Sequence, residues 1–237
     1  MKRFVVGCLL ACATLPLWAT ERLPDEGKIQ FQVIHGGTGL EVGEAEHRWR
    51  YNGQRYQMSN AVKTTGVAAM LADFHYVQRS EGDVLQKVLR PQRFSVDQRG
   101  RERESAEFDW DGQTVLVTRR KNRQTSYPLA EGDIDVLSVW HLAAVSGMEN
   151  LPKTLSAVNN RNSSPATLTR LGIKTVQLPL GAFEAQHVRL KAASEKLTID
   201  LWLSSEHASL PVRVLLTDDE GKTLDLRATA VQMGAQD

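Results

Sequence analysis

Hydrophobic and polar positions alternate with a period of two along most of this chain. Ile29, Phe31 and Val33 interleave with Lys28, Gln30 and Gln32. Trp49 and Tyr51 interleave with Arg48 and Arg50, and Tyr56 and Met58 with Arg55 and Gln57. Successive side chains of a strand point to opposite faces, so this pattern predicts sheet with one buried face. Tyr51-Asn52-Gly53-Gln54 joins two such runs, and Asn-Gly tolerates the positive φ values of a two-residue hairpin turn. Val115 and Val117 follow a turn at Asp111-Gly112, and Val188 and Leu190 alternate with His187 and Arg189. Leu197, Ile199, Leu201 and Leu203 alternate with Thr198, Asp200, Trp202 and Ser204. Val212, Val214 and Leu216 run into Asp218-Asp219-Glu220-Gly221, and Leu224, Leu226 and Ala228 return. The spacing predicts roughly ten to twelve antiparallel strands in a curved sheet or open half-barrel.

One segment breaks the alternation. Ile134, Leu137, His141, Ala144 and Met148 fall three and four apart, and Val136, Val139, Trp140 and Ala143 make the other side apolar too. This predicts one helix near 134–148, buried on two sides, with Asp133 as N-cap and Gly147 near its end. The sheet is then expected to curl around it. Val67 to Ala72 reads either as a short helix or as a buried strand. Asn159 to Pro165 is the polar break most like a linker or mobile loop and could divide two lobes, yet neither side of it closes a barrel alone, so residues 20–237 are read as a single β-rich domain.

The first nineteen residues change the picture. Met1-Lys2-Arg3 is basic, Phe4 to Leu17 is apolar apart from Thr14, and Ala19 offers a small residue at a cleavage point. That is a secretory signal layout, too short for a transmembrane anchor, and it places the mature protein in the periplasm. Leu9-Leu10-Ala11-Cys12 gives an alternative, a lipoprotein attached at Cys12. Both cysteines, Cys8 and Cys12, lie in the leader, so cleavage at Ala19 leaves no disulfide. Loss of Lys2 and Arg3 takes the formal charge from +1 to −1. A near-neutral chain argues against nucleic acid as a partner. The basic run Arg119-Arg120-Lys121-Asn122-Arg123 reads as a solvated hairpin tip, with anionic lipid head groups as the other option.

Candidate chemistry is sparse. His35 to Gly43 is glycine-rich but lacks the lysine ending and following helix of a phosphate loop, so it reads as a hairpin or bulge. The six mature histidines show no metal-ligand spacing, and neither a metal nor a cofactor is expected. Asp135, Ser138 and His141 stand three apart and are the first cluster to test for an envelope hydrolase. Three residues along one helix do not, however, place a base between acid and nucleophile. Glu184 and Asp200 could form a glycosidase pair, as could many acids in any β protein. The aromatics are richer. Core filling accounts for most of them, and a pocket between sheet and helix for the others. Trp49, Tyr56, Leu137, Trp140 and Trp202 are the residues expected to line it.

Several short motifs occur in a characteristic order: Tyr56, Gly66, Ser80-Glu81-Gly82, Leu89-Arg90-Pro91, Phe94, Phe108-Asp109-Trp110 and Asp135-Val136-Leu137-Ser138. Leu178 to Phe183, Leu201-Trp202-Leu203 and Leu210-Pro211-Val212-Arg213 continue it. Together they resemble the bacterial domain-of-unknown-function family 3108, across nearly the whole mature chain. The resemblance implies an exported Gram-negative envelope protein, mostly antiparallel β, with no assigned activity. Trp140-His141 departs from the Tyr-Gln of that pattern. The expected function is a periplasmic, non-catalytic carrier for an apolar small molecule, a lipid or a lipoprotein moiety. The alternatives are a biogenesis factor that binds an envelope protein through a filled core, and the hydrolase.

Overall fold

The computed structural model describes residues 23–71 and 73–234. The signal reading of residues 1–19, with Cys8 and Cys12, lies outside them. Fifteen strands form one curved sheet: β1 (Glu26–His35), β2 (Leu40–Asn52), β3 (Arg55–Thr64), β4 (His75–Leu85), β5 (Val88–Gln98), β6 (Glu104–Asp109), β7 (Thr114–Arg119), β8 (Arg123–Pro128), β9 (Ile134–Asp135), β10 (Thr154–Val158), β11 (Ser163–Leu178), β12 (Gly181–Ala192), β13 (Leu197–Ser204), β14 (Leu210–Asp218) and β15 (Thr223–Met233). The spatial order is β8-β7-β6-β5-β4-β3-β2-β1-β15-β14-β13-β12-β11-β10-β9. Neighbours are antiparallel, apart from the short parallel pair β9–β10. The first and last long strands meet, β1 against β15, so the chain ends close the middle of the sheet.

The expected hairpins form where turn chemistry demanded them. Asn52 opposes Arg55 and Tyr51 opposes Tyr56, so the two-residue turn is Gly53-Gln54, one residue beyond the Asn-Gly placement, and Gly53 takes φ +60°. The glycine-rich segment is the β1–β2 hairpin. Gly43 within it lies so close to β3 that a Cβ there would come 2.2 Å from the Lys63 carbonyl oxygen, so no side chain fits. Residues 119–123 form the β7–β8 tip, with Lys121 and Asn122 at positive φ. Asn159 to Asn162 form a tight turn between β10 and β11, in which Asn159 Oδ1 accepts from the backbone N–H groups of Arg161 and Asn162.

Two expectations need correction. The sheet has fifteen strands rather than ten to twelve. Some strands carry little alternation because they bury little: no residue of β8 is fully buried, and the middle of β11 is exposed. Without a buried face there is no hydrophobic alternation to read. The single helix over 134–148 is also replaced. Ile134 and Asp135 are strand, Ser138–His141 is a 3-10 turn, and α2 (the second helix, Leu142–Ser146) is barely more than one turn. The Asp135 carboxylate accepts from the N–H groups of Leu137 and Ser138, which starts the turn there rather than at Asp133. Asp133 instead accepts from the N–H groups of Ala130 and Ser156. Gly147 does end the segment, at φ +89°. Residues 133–143 are buried throughout, as the two-sided apolar pattern required. This plug lies on the concave side of the sheet, where β9 packs across onto β5. The ambiguous segment near Val67 is a helix, α1 (Gly66–Leu71).

Candidate functional site

The plug is fastened to the sheet by a chain of buried polar groups. Asp135 stands at its start. Oδ1 accepts from the backbone N–H of Leu137 at 3.0 Å and of Ser138 at 2.9 Å. Oδ2 accepts from the hydroxyls of Ser80 and Ser138, both at 2.7 Å. The two serine oxygens are 2.8 Å apart, and the Tyr56 hydroxyl lies 3.1 Å from Ser138 Oγ. Asp135 and Ser138 are fully buried. Burial pushes the Asp135 carboxyl above the usual carboxylate range, and the four donated hydrogen bonds oppose that push. Burial also drives the Tyr56 hydroxyl upward.

One turn later His141 reaches β2. Its Nε2 lies 2.7 Å from His47 Nε2, and its Nδ1 lies 2.9 Å from the Tyr51 hydroxyl. Facing ring nitrogens at that distance share one proton, so the two rings cannot both be cationic. Burial lowers His47 to about 3. Burial first, then the neighbouring His47, holds His141 well below the ordinary imidazole range. Trp49 stacks on His47 at 6.0 Å and meets His141 edge-on. The Trp49 indole N–H donates to the Pro24 carbonyl.

Ser138 and His141 therefore take separate partners. The serine bonds the acid directly, and the histidine bonds a second histidine, so the order acid–base–nucleophile is not built. Asp200 binds His187 at 2.6 Å and Arg189 at 2.8 Å, on the face of β13 opposite Ile199. Among the described residues no three His, Cys, Asp or Glu side chains gather as a metal site would require.

Above the plug, towards the end of the sheet holding the β3–β4, β5–β6, β10–β11 and β12–β13 connections, is a cavity of about 520 Å³. Val62, Val96, Val136, Trp140, Ile199 and Leu226 give it apolar walls, and Asn60 and Tyr76 add polar groups. A volume of this size suits one small apolar or amphipathic molecule. A more open, polar groove of about 680 Å³ crosses β2–β5 beside Arg48, Arg50, Arg79 and Arg103. These arginines pair with Glu46, Glu26 and, for the last two, Asp97.

The structure separates the five residues singled out in the sequence. Trp140 lines the cavity and meets Phe31 edge-on at 6.2 Å. Tyr56 belongs to the polar fastening, Leu137 is buried in the plug, and Trp49 packs behind the histidines. Trp202 faces away from Ile199. It is stacked between His187 at 4.4 Å and the Arg213 guanidinium at 4.4 Å. Trp202→Ala is expected to lower stability by about 2–4 kcal/mol through lost packing while leaving the cavity intact. Urea unfolding checks the first part, and ligand uptake by the folded variant the second. Residues that sequence reasoning missed are Ser80, Asn60, His47 and Tyr51. The last two share the inward parity of Trp49, and a histidine on the buried face of a strand was the available signal.

The family described as "Protein of unknown function (DUF3108)" matches residues 30–227. Among curated proteins none matches. The β-barrel-like protein of the DUF1849 family from Brucella abortus superposes with a TM-score of 0.51 at 6% identity, covering 89% of this chain and 98% of that one. A candidate exported protein with a YmcC-like fold from Bacteroides fragilis gives 0.34 at 8% identity, over 89% and 97% of the two chains. The first of these likenesses supports a barrel-like fold. Among the described residues no helix is long and apolar enough to cross a membrane.

Proposed function

The chain belongs to the DUF3108 family, and we propose that it is an exported, non-catalytic carrier that shelters an apolar ligand on the concave side of its sheet. The observation that carries this reading is the cavity, apolar on its sheet walls and on the Trp140 side of the plug. The basic-then-apolar leader supports a periplasmic location. In this reading Trp140 touches the ligand. Trp49 and Tyr56 hold the plug that presents it, Leu137 is buried within that plug, and Trp202 stiffens the opposite face. A polar fastening suits such a carrier, because it fixes one register of the plug without filling the space above it.

Native mass spectrometry of the mature protein from a periplasmic extract tests the reading. A bound apolar adduct, lost on denaturation, is the expected result, and a clean apo mass speaks against it. Ile199→Trp fills the cavity and is expected to abolish the adduct at a cost of about 1–3 kcal/mol in stability. A second reading, docking onto an envelope protein, is favoured by Leu40, Val67 and Met70, which are exposed near the same end of the sheet.

A further inference from the structure

The open end of the cavity differs in chemistry from its walls. Arg101 in the β5–β6 connection, Arg161 in the β10–β11 turn and Lys196 in the β12–β13 connection all border it. Among the described residues none of these three forms an ion pair. Three acids share the rim, and one of them is paired with a cation. Glu104 pairs with Arg120 at 3.5 Å and accepts from the Asn160 amide. Glu102 accepts from the Lys121 N–H, and Asp218 from the N–H groups of Glu220 and Lys222. The rim thus carries four cations against three acids, a net excess of one positive charge above an apolar chamber.

A second, independent feature lies inside. Asn60 is 3% exposed and borders the cavity, and its Oδ1 has no hydrogen-bond partner among the described residues. A buried acceptor left unpaired is unfavourable, so the site gains from a donor brought by its occupant. Its depth follows from register. Asn60, Gln78 and Val96 form one row across β3–β5, and Val62, Tyr76 and Gln98 form the next row towards the rim. Two residues along a strand advance about 7 Å. The Arg161 charge acts on the Tyr76 hydroxyl, partly offsetting the burial that raises it, and so lies within reach of that outer row.

We propose, resting on the carrier reading above, that the cavity takes an anionic acyl amphiphile with a hydroxyl or amide N–H within a few bonds of its head. The anion sits among Arg101, Arg161 and Lys196, the donor meets Asn60, and the chain lies against Val62, Val96, Ile199 and Trp140. A carboxylate satisfies guanidinium and ammonium groups by charge-assisted hydrogen bonds, and a plain alcohol of equal chain length cannot.

The test is displacement of the fluorescent apolar probe N-phenylnaphthylamine from the mature protein, with competitors below their micelle concentrations. Hexadecanoate is expected to compete about tenfold better than hexadecanol, the advantage of one charge-assisted contact. β-Hydroxyhexadecanoate and an N-acylated amino acid are the two donor-bearing arms. At least one of them is expected to gain a further factor of about three to ten. Charge reversal at the three rim residues (R101E, R161E and K196E together) removes the first advantage, and Asn60→Leu removes the second. If the triple variant fails to fold, a salt titration of the unaltered protein replaces it: hexadecanoate affinity falls with salt and hexadecanol affinity does not. Equal competition by hexadecanoate and hexadecanol overturns the ligand class while the carrier reading stands. Failure of the probe itself to bind overturns both.

Discussion

Between pH 7 and pH 5 the protein is expected to lose roughly 2–4 kcal/mol of stability, a large share of what a domain usually has. The source is the buried pair His47 and His141. Both are held below the ordinary imidazole value in the folded state, His47 at about 3, chiefly because burial disfavours the cation. In the unfolded chain each titrates near 6.5. The unfolded state therefore binds more protons in this window, and stability falls as pH falls through 6.5 towards the folded values. Each histidine contributes about 2 kcal/mol over those two pH units. Asp135 works in the opposite sense, because its raised folded value lets the native state take up a proton first on acidification. One opposing carboxyl reduces the loss without cancelling it. Urea titrations followed by tryptophan fluorescence at pH 7, 6 and 5 measure the slope. His141→Gln should roughly halve it, and a flat profile in the unaltered protein would remove the neutral histidine pair from the account.

The sheet was legible because most of it has one wet face and one dry face. Phe31, Tyr56 and Val117 announce their strands by parity alone. Where both faces are wet, as in β8 and the middle of β11, parity carries no such signal. Within the plug, burial was readable and geometry was not. Residues 133–143 looked apolar on two sides and are buried on all sides. The helical spacing, however, was an accident of a strand end, a 3-10 turn and a short α-helix laid end to end. A short polar side chain that captures its own downstream N–H groups, as Asp135 does, starts a turn at a place that periodicity does not mark.

The site was less legible than the fold, for a different reason. Asp135 and Ser138 stood out by spacing, yet their partners Ser80 and Tyr56 lie 55 and 82 residues from the residues they bind. His47 and His141 are 94 residues apart in the chain. Only the curvature that brings β2–β4 under the plug creates these contacts. The cavity has the same origin. Its walls come from both halves of the sheet, and its rim cations from three separate connections. Each cation reads singly as an ordinary surface residue.

Removing the Asp135 carboxylate is expected to have the largest effect of any single change in the plug. Asp135→Ala leaves two backbone N–H groups and the Ser80 and Ser138 hydroxyls without their acceptor in a fully buried place. Some of these donors can turn to one another or to Tyr56, which lies within 3.1 Å of Ser138, and the backbone pair cannot. The loss is therefore about 3–5 kcal/mol, the range for breaking a buried network. Asp135→Asn keeps the Oδ1 acceptor for the backbone pair and replaces only the side that faces rotatable hydroxyls. It is expected to lose about 1–2 kcal/mol. Urea midpoints of the two variants, with Ser80→Ala added to complete a double-mutant cycle, separate the bolt from simple volume loss. If Asp135→Ala falls within about 1 kcal/mol of the unaltered protein, then Asp135 does not fasten the plug. Val136 and Trp140 belong to the same short segment and form one wall of the cavity. A plug released at Asp135 should therefore also hold ligand less tightly, whereas Trp202→Ala, acting on the far face, should not.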